Sequence, residues 1–221
     1  MISIRYKIII LFLFSIFLIM ASLLFGTQFI TPSQLFSLLK NDHCLISCTI
    51  IGQIRLPRVL SAYLSGSLLA LSGLLMQIML ENPLADPFIL GISGGGSVIM
   101  LALTFFGASQ IFIELGGWMG SFVAFLLIWF IGFRKKFVPS QLLLIGVMFS
   151  FLWSAMISFI LTVSSDNTLK SMIFWMLGDL NEAQISYYQP TILIAALIFC
   201  LYYAKDLEVL VLGHLIDVRQ V

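Results

Sequence analysis

The sequence predicts an all-α protein: a polytopic membrane bundle of about six spanning helices. Two observations carry that expectation. The 221 residues are 61% hydrophobic and 10% charged, with a mean hydropathy of +1.11. Ordinary globular domains are about 45–50% apolar and about 25% charged. The charges and prolines also sit between long apolar runs rather than within them. Hydrocarbon imposes that segregation, because only helices with internally satisfied backbones are stable there.

The first run, residues 8–25, follows Arg5 and Lys7. A secretory signal has similar flanks, but its apolar core is about 7–15 residues and ends at a small-residue cleavage site. This run is longer and ends L-L-F-G-T-Q-F, so a retained helix is expected. The second span covers residues 59–80. A corner, Asn82-Pro83-Leu84-Ala85-Asp86-Pro87, leads into a third span over residues 87–106. Pro83 and Pro87 push the residues before them out of helical geometry. Asp86 is placed to cap the third helix, with Pro87 at its first position. The corner reads equally as a tight turn and as part of an inner gate, since Gln77 and Asn82 lie there beside small residues.

Spans four, five and six are expected at residues 113–133, 142–163 and 185–204. Between five and six, residues 164–186 are too polar at both ends to cross. Their middle, residues 170–177, reads as a short interfacial helix with Trp175 as anchor. Residues 207–221 form an amphipathic tail. The whole chain reads as one transmembrane domain, 1–221, with 207–221 on the cytoplasmic side.

Orientation follows the basic residues. With the N terminus inside, Arg5, Lys7, Arg134, Lys135, Lys136, Lys205 and Arg219 are cytoplasmic. Lys40, Arg55, Arg58 and Lys170 face outward, so the 11 basic residues divide seven to four.

Several motifs are weak as chemistry. Gly94-Gly95-Gly96 lacks the Gly-Lys-Ser/Thr ending and the preceding strand of a phosphate loop. Glycines in a membrane helix more commonly let backbones approach, and Gly66 with Ser65, Ser72 and Gly73 suggests the same for the second span. His43 and His214 are too far apart in sequence to make a metal site. Of the three cysteines, Cys200 reads as a small core residue, whereas Cys44 and Cys48 could pair if their loop faces an oxidising compartment. A net charge of +1 gives no indication of nucleic-acid binding, and no cofactor is implied. A membrane-embedded enzyme would need reactive groups at one depth, but Asn82 and Asp86 fall on the opposite face from Asp179 and Glu182.

The order R-x-P-R, a small-residue helix with Ser-Gly and Gln, then N-P-L-A-D-P-x-x-L-G-I-S and glycines resembles the permease subunits of FecCD-type ATP-driven importers for iron–siderophore, haem and vitamin B12. It is carried by Arg55, Pro57, Arg58, Gly66, Ser72, Gly73, Gln77, Asn82, Pro83, Leu84, Ala85, Asp86, Pro87, Leu90, Gly91, Ile92 and Ser93. Trp175, Met176 and Gly178 match the family's W-M-x-G pattern.

The resemblance implies a permease that works as a homodimer with two cytoplasmic ATPase subunits and a periplasmic or surface substrate-binding protein, in the bacterial plasma membrane. It implies that Arg55 and Arg58 receive acidic residues of the binding protein. It also implies that residues 207–221 hold the coupling helix seated on the ATPase. There Leu212 and Gly213 match the family pattern, while His214 replaces its acidic residue, Asp217 its alanine and Gln220-Val221 its Leu-Gly.

Spans almost free of ionisable residues argue against proton coupling, so the energy must come from a bound ATPase. Gly146, Ser150 and Ser154 make a small, polar stripe expected to line the passage, joined at its ends by Ser140, Gln77 and Asn82. Family members carry about ten spans. A partial copy is therefore implied, and a fragment, a frameshifted product, a half completed by another polypeptide and a non-transporting remnant all stay open.

The orientation has a direct test. Single cysteines replacing Lys40 and Lys136 are expected to react with a membrane-impermeant maleimide on intact cells only at position 40; labelling at 136 alone would invert every inside–outside assignment.

Overall fold

The computed structural model describes residues 4–26, 50–134, 138–178, 180 and 188–210. Among these the chain is helical throughout: α1 (Ile4–Leu24), a six-residue π-helix (Ile50–Arg55) running into α2 (Leu56–Met79), α3 (Ile92–Phe105), α4 (Gln110–Arg134), α5 (Pro139–Val163), α6 (Asp166–Leu177) and α7 (Tyr188–Tyr202). Residues 204–210 are helical again. The all-α expectation therefore holds. Four stretches are long and apolar enough to cross a bilayer: Arg5–Leu24, Ile50–Met79, Gln110–Arg134 and Pro139–Val163.

The expected third span is shorter than the sequence suggested. α3 begins at Ile92, not at Pro87, and its 14 residues rise about 21 Å against a hydrocarbon core of about 30 Å. The reason lies in the corner. The Asp86 carboxylate accepts the Phe88 amide at 2.7 Å, and Ile89 N–H and Gly91 N–H donate to the carbonyls of Asp86 and Phe88. Gly91, at φ +69°, then caps α3. Asp86 thus organises a turn rather than capping the helix. Of the expected sixth span, residues 185–187 lie outside the described residues and α7 covers Tyr188–Tyr202. The fifth span starts at Pro139, at the helix N-terminus, so Ser140 lies in its first turn rather than ahead of it. The short interfacial helix is present as α6 and starts earlier, at Asp166.

The second span also begins earlier than expected. Helical backbone reaches back to Ile50, which puts Arg55 and Arg58 within the helical run and not at its end. Pro57 explains the local change of pitch. It has no N–H to give to the carbonyl four residues back, and its ring presses on that carbonyl. A π-turn just ahead of the proline widens the coil where that bond is lost.

The chain divides into two compact units, residues 1–67 with 180–195 and residues 68–179 with 196–221. In the first, Leu23 of α1 and Ile51 of the π-helix are buried together, with Ile19, Ile50, Leu56 and Val59 packed around them. Ser61 is buried and its hydroxyl lies 3.3 Å from the Gln189 side-chain oxygen.

The second unit is built on α3. It packs most extensively against α4 and also against α5 and α6. The α3–α4 seam is made of glycines. α4 buries Gly116, Gly120, Ala124, Ile128 and Gly132 at every fourth position, with Gly117 alongside. A Cβ added at Gly120 would stand 2.6 Å from the Gly95 carbonyl oxygen, and one at Gly95 would stand 3.1 Å from that of Gly120. One at Gly96 would stand 2.9 Å from the Gly117 carbonyl oxygen. Apolar side chains gain little by leaving lipid for one another, so helix association in a membrane depends on contact of this kind. The glycine run of α3 is a packing surface.

α2 departs from that reading. A Cβ at Gly66 or Gly73 would meet nothing within 4 Å, so neither glycine serves a contact among the described residues. The two classes of glycine should respond oppositely to alanine. Gly120→Ala forces the seam apart and is expected to cost about 1–3 kcal/mol. Gly66→Ala keeps only the helix-propensity gain, up to about 1 kcal/mol. Unfolding in mixed detergent micelles, followed by circular dichroism, would read both, and equal shifts would refute the seam.

Candidate functional site

The two arginines are engaged in different ways. Arg55 donates from Nη1 to the carbonyl oxygens of Leu23 at 2.8 Å and Leu24 at 3.3 Å. Those are the last residues of α1, whose final carbonyls have no partner within their own helix. A guanidinium there satisfies them and meets the negative end of the helix dipole. The same side chain lies so close to Gly26 that a Cβ at that position would be 2.5 Å from a guanidinium nitrogen. Arg58 donates from Nε to the Leu180 carbonyl oxygen at 3.3 Å. Arg55 is therefore a structural cap of α1, a role that its spacing from Arg58 did not suggest.

The corner over residues 80–91 is two copies of one turn. Asn82 and Asp86 each precede proline, and each accepts through Oδ1 the amide of the residue two positions on, Leu84 at 2.9 Å and Phe88 at 2.7 Å. The carbonyls of Asn82 and Asp86 each accept the amide three positions on, from Ala85 and Ile89. Asx side chains make such turns locally and proline presets the next φ. Asn82 thus has a defined architectural role. Gln77, exposed in the last turn of α2, takes part through its backbone: its carbonyl accepts the Asn82 amide.

α5 holds the corner from the other side. A Cβ at Gly146 would fall 2.8 Å from the Leu90 Cα and 2.9 Å from the Ile89 carbonyl oxygen, so Gly146 is the notch into which the corner fits. The Ser150 hydroxyl lies 3.2 Å from the Ile89 carbonyl oxygen and 3.0 Å from that of Gly146. One turn further on, Trp153 lies against Gly91 and Gly94 and stacks on Phe149 at 5.7 Å between centroids. Its indole N–H is buried with no acceptor among the described residues. Ser140 and Ser154 are exposed. Of the sequence-predicted path residues, the structure brings Gly146 and Ser150 together with the corner, and it leaves Ser140 and Ser154 on open helix surface. Trp153 was not singled out in the sequence, where it is one aromatic in an apolar run.

Beside the corner lies a cleft of about 430 Å³. Leu69, Leu75, Met76 and Met79 of α2 face Pro87, Phe88 and Ile92 across it, and among the described residues its polar side chains are Ser72, Ser93 and Ser121. A lining of this kind suits a weakly polar molecule. No cluster of three or more metal-ligating side chains occurs among the described residues. Cys200 is half-buried and free. His43, Cys44, Cys48, Asp179, Glu182, and the coupling candidates Leu212, Gly213 and His214 lie outside the described residues.

The sequence matches the FecCD transport family over residues 12–217. This chain belongs to that family. It is 32% identical over 211 residues to the vitamin B12 import system permease protein BtuC of Vibrio parahaemolyticus serotype O3:K6, covering 90% of this chain and 61% of the relative. It is 33% identical over 205 residues to the protein of the same description from Citrobacter koseri, covering 89% and 58%. Among solved structures, it matches a chain described as an inward-facing conformation of a metal-chelate type ABC transporter, with a TM-score of 0.73 and 25% identity. That match covers 95% of this chain and 64% of the other. The chain thus spans about 60% of the length of the relatives it matches. It is a multi-pass membrane protein of a transport family whose members are not catalytic subunits.

Two substitutions test the local geometry. Arg55→Met leaves the last carbonyls of α1 without their donor and is expected to cost about 1.5–3 kcal/mol. Glu81→Gly acts in the other direction. Glu81 is the one described non-glycine residue with positive φ, 51°, and the glycine is expected to gain about 1 kcal/mol. Both are read as unfolding midpoints in micelles; an unchanged midpoint for Arg55→Met would mean that the cap contributes nothing.

Proposed function

We propose that this chain is a permease subunit of an ATP-binding-cassette importer in the bacterial plasma membrane, with its N terminus in the cytoplasm. The cargo class is an iron chelate, haem or a corrinoid. The partners are a cytoplasmic ATPase subunit, a periplasmic or surface binding protein and a second permease copy. The observation that carries the proposal is the family match along residues 12–217, supported by the fold likeness at a TM-score of 0.73. The cargo class rests on what is said of the similar proteins, vitamin B12 for two and a metal chelate for the third. The weakly polar cleft between α2 and the corner is in keeping with such cargo.

Within this reading, Arg55 and Arg58 are the residues proposed to receive carboxylates of the binding protein, and Arg58 is the one to test because Arg55 also caps α1. Gly146, Ser150 and Asn82 belong to the element that would move when the inner side opens, with Ser154, Ser140 and Gln77 on adjoining surface. Leu212, Gly213 and His214 remain the proposed ATPase contact.

Reconstitution tests the proposal. Vesicles holding this chain, the ATPase and the binding protein are expected to accumulate labelled cyanocobalamin or a ferric siderophore only when ATP is supplied on the cytoplasmic side. No ATP-dependent accumulation of either, with all subunits bound, would overturn it. In the active system Arg58→Glu is expected to weaken binding-protein docking about tenfold at low salt and less at high salt. Arg58→Gln should have a smaller effect, and an unchanged affinity for both would remove Arg58 from the docking surface.

A further inference from the structure

We infer that the last turns of α4 form a docking shelf for an anionic phospholipid. Its phosphate meets Arg134, and an acyl chain lies against Trp129, Phe130 and Phe133. The inference stands apart from the permease reading, because it requires only that α4 cross the membrane.

Geometry is the first support. Two pairs of side chains, each four residues apart, lie next to one another at the end of α4. The rings of Trp129 and Phe133 stack, with centroids 5.7 Å apart and planes 27° apart. In the other pair the Arg134 guanidinium carbon stands 4.5 Å from the centroid of the Phe130 ring. Helical side chains lean towards the N-terminus of their helix. Arg134, the last residue of α4, is therefore drawn back one turn over an apolar ring. A cation that serves only as a snorkelling anchor reaches the other way, out to water. Ile128 and Gly132 are buried in the seam with α3, whereas Trp129, Phe130 and Phe133 are exposed. The shelf is thus on the surface of α4 that its own unit leaves open.

The second support is charge. Residues 115–165 contain Arg134, Lys135 and Lys136 and no aspartate or glutamate. The acids that bound this stretch in sequence, Glu114 and Asp166, belong to the opposite ends of α4 and α5. Among the described residues Arg134 has no carboxylate partner, and its contact is with the Phe130 ring. A guanidinium held over a ring keeps N–H donors at its edge, and their fork matches two oxygens of a phosphate.

The two supports together select the occupant. Arg134 closes a stretch apolar enough to span, so the aromatic shelf lies at the level of the membrane interface. A soluble acidic protein could approach the guanidinium but would have to enter the bilayer to cover the rings. A phospholipid carries its phosphate above and its hydrocarbon below in one molecule. Zwitterionic lipids would also bring an ammonium towards three neighbouring cations. Anionic lipids bring none, and a basic cluster at a span's end attracts them.

Trp129 supplies the readout. The full chain is reconstituted into phosphatidylcholine vesicles that contain rising fractions of either phosphatidylglycerol or phosphatidylcholine with brominated acyl chains. Bromine quenches tryptophan fluorescence on contact, and subtracting the signal of Trp129→Phe isolates Trp129. Half-quenching is expected at an about fivefold lower fraction of brominated phosphatidylglycerol than of brominated phosphatidylcholine. Arg134→Gln should remove most of that preference. Arg134→Lys keeps the charge but loses the planar fork, and should reduce the preference to about twofold or less. Equal half-quenching fractions for the two lipids in the unsubstituted chain would overturn the inference, leaving Arg134 to water or to a protein carboxylate. A full preference retained by Arg134→Lys would also overturn it, because the diffuse field of the basic cluster would then suffice. Both lipid leaflets have the same composition in these vesicles, so the result does not depend on which side of the membrane α4 ends.

Discussion

Inside hydrocarbon a helix gains little by hiding apolar side chains from lipid, so close approach of backbones has to replace the driving force that folds a soluble core. The α3–α4 seam meets that requirement. Five small or buried positions on α4, four apart, receive α3 at Gly95 and Gly96, and neither helix could come as near if those positions carried side chains. The rest of the second unit follows from where α3 is held. Its N-terminus takes the corner with it, the corner rests in the Gly146 notch of α5, and Met172 of α6 is fully buried in the same unit. The number of fully buried large side chains is correspondingly small, Leu101 and Met172 among the described residues. Contact, rather than buried bulk, carries this unit.

Much of this was legible in the chain, because hydropathy and small-residue placement answer to the same physics that builds the helices. Long apolar runs bounded by charge gave spans one, four and five nearly to their ends, and the glycine triplet was readable as a packing surface. Span three was misplaced for an identifiable reason. Pro87 is a favourable first helical residue, and Asp86 before it has the chemistry of a cap, but the same two residues in the frame Asx-Pro-x-x also make a closed turn. The earlier copy, Asn82-Pro83-Leu84-Ala85, was the signal that the second would behave likewise. Gly66 and Gly73 illustrate the opposite failure. A small residue shows that something can approach and does not say what, and among the described residues nothing does.

Arg55 marks the limit of reading function from spacing. Two arginines three apart at a predicted helix start look like a pair with one purpose, yet the helical backbone continues past them to Ile50. That continuation, forced by where Pro57 breaks the pitch, carries Arg55 against the C-terminus of α1, 31 and 32 residues away in sequence. No local pattern could show that contact, because it depends on a tertiary approach. Family resemblance names both arginines equally, and the structure separates them.

The corner joins these themes. Glycine would suit the end of α2 and a plain loop would serve to reverse the chain, yet the sequence has Glu81 in a left-handed conformation, two prolines, and two Asx side chains already bonded to the backbone. Such a loop is stiffer than connection requires. Its underside is not free to drift either, since Leu90 sits in a notch that admits no Cβ and Ser150 reaches the Ile89 carbonyl. A stiff loop fixed to a long helix transmits displacement, whereas a flexible one absorbs it. Displacement of the corner would therefore also move the Gly146 turn of α5. The link between the corner and a long helix is built here from a glycine, a serine and two repeated turns.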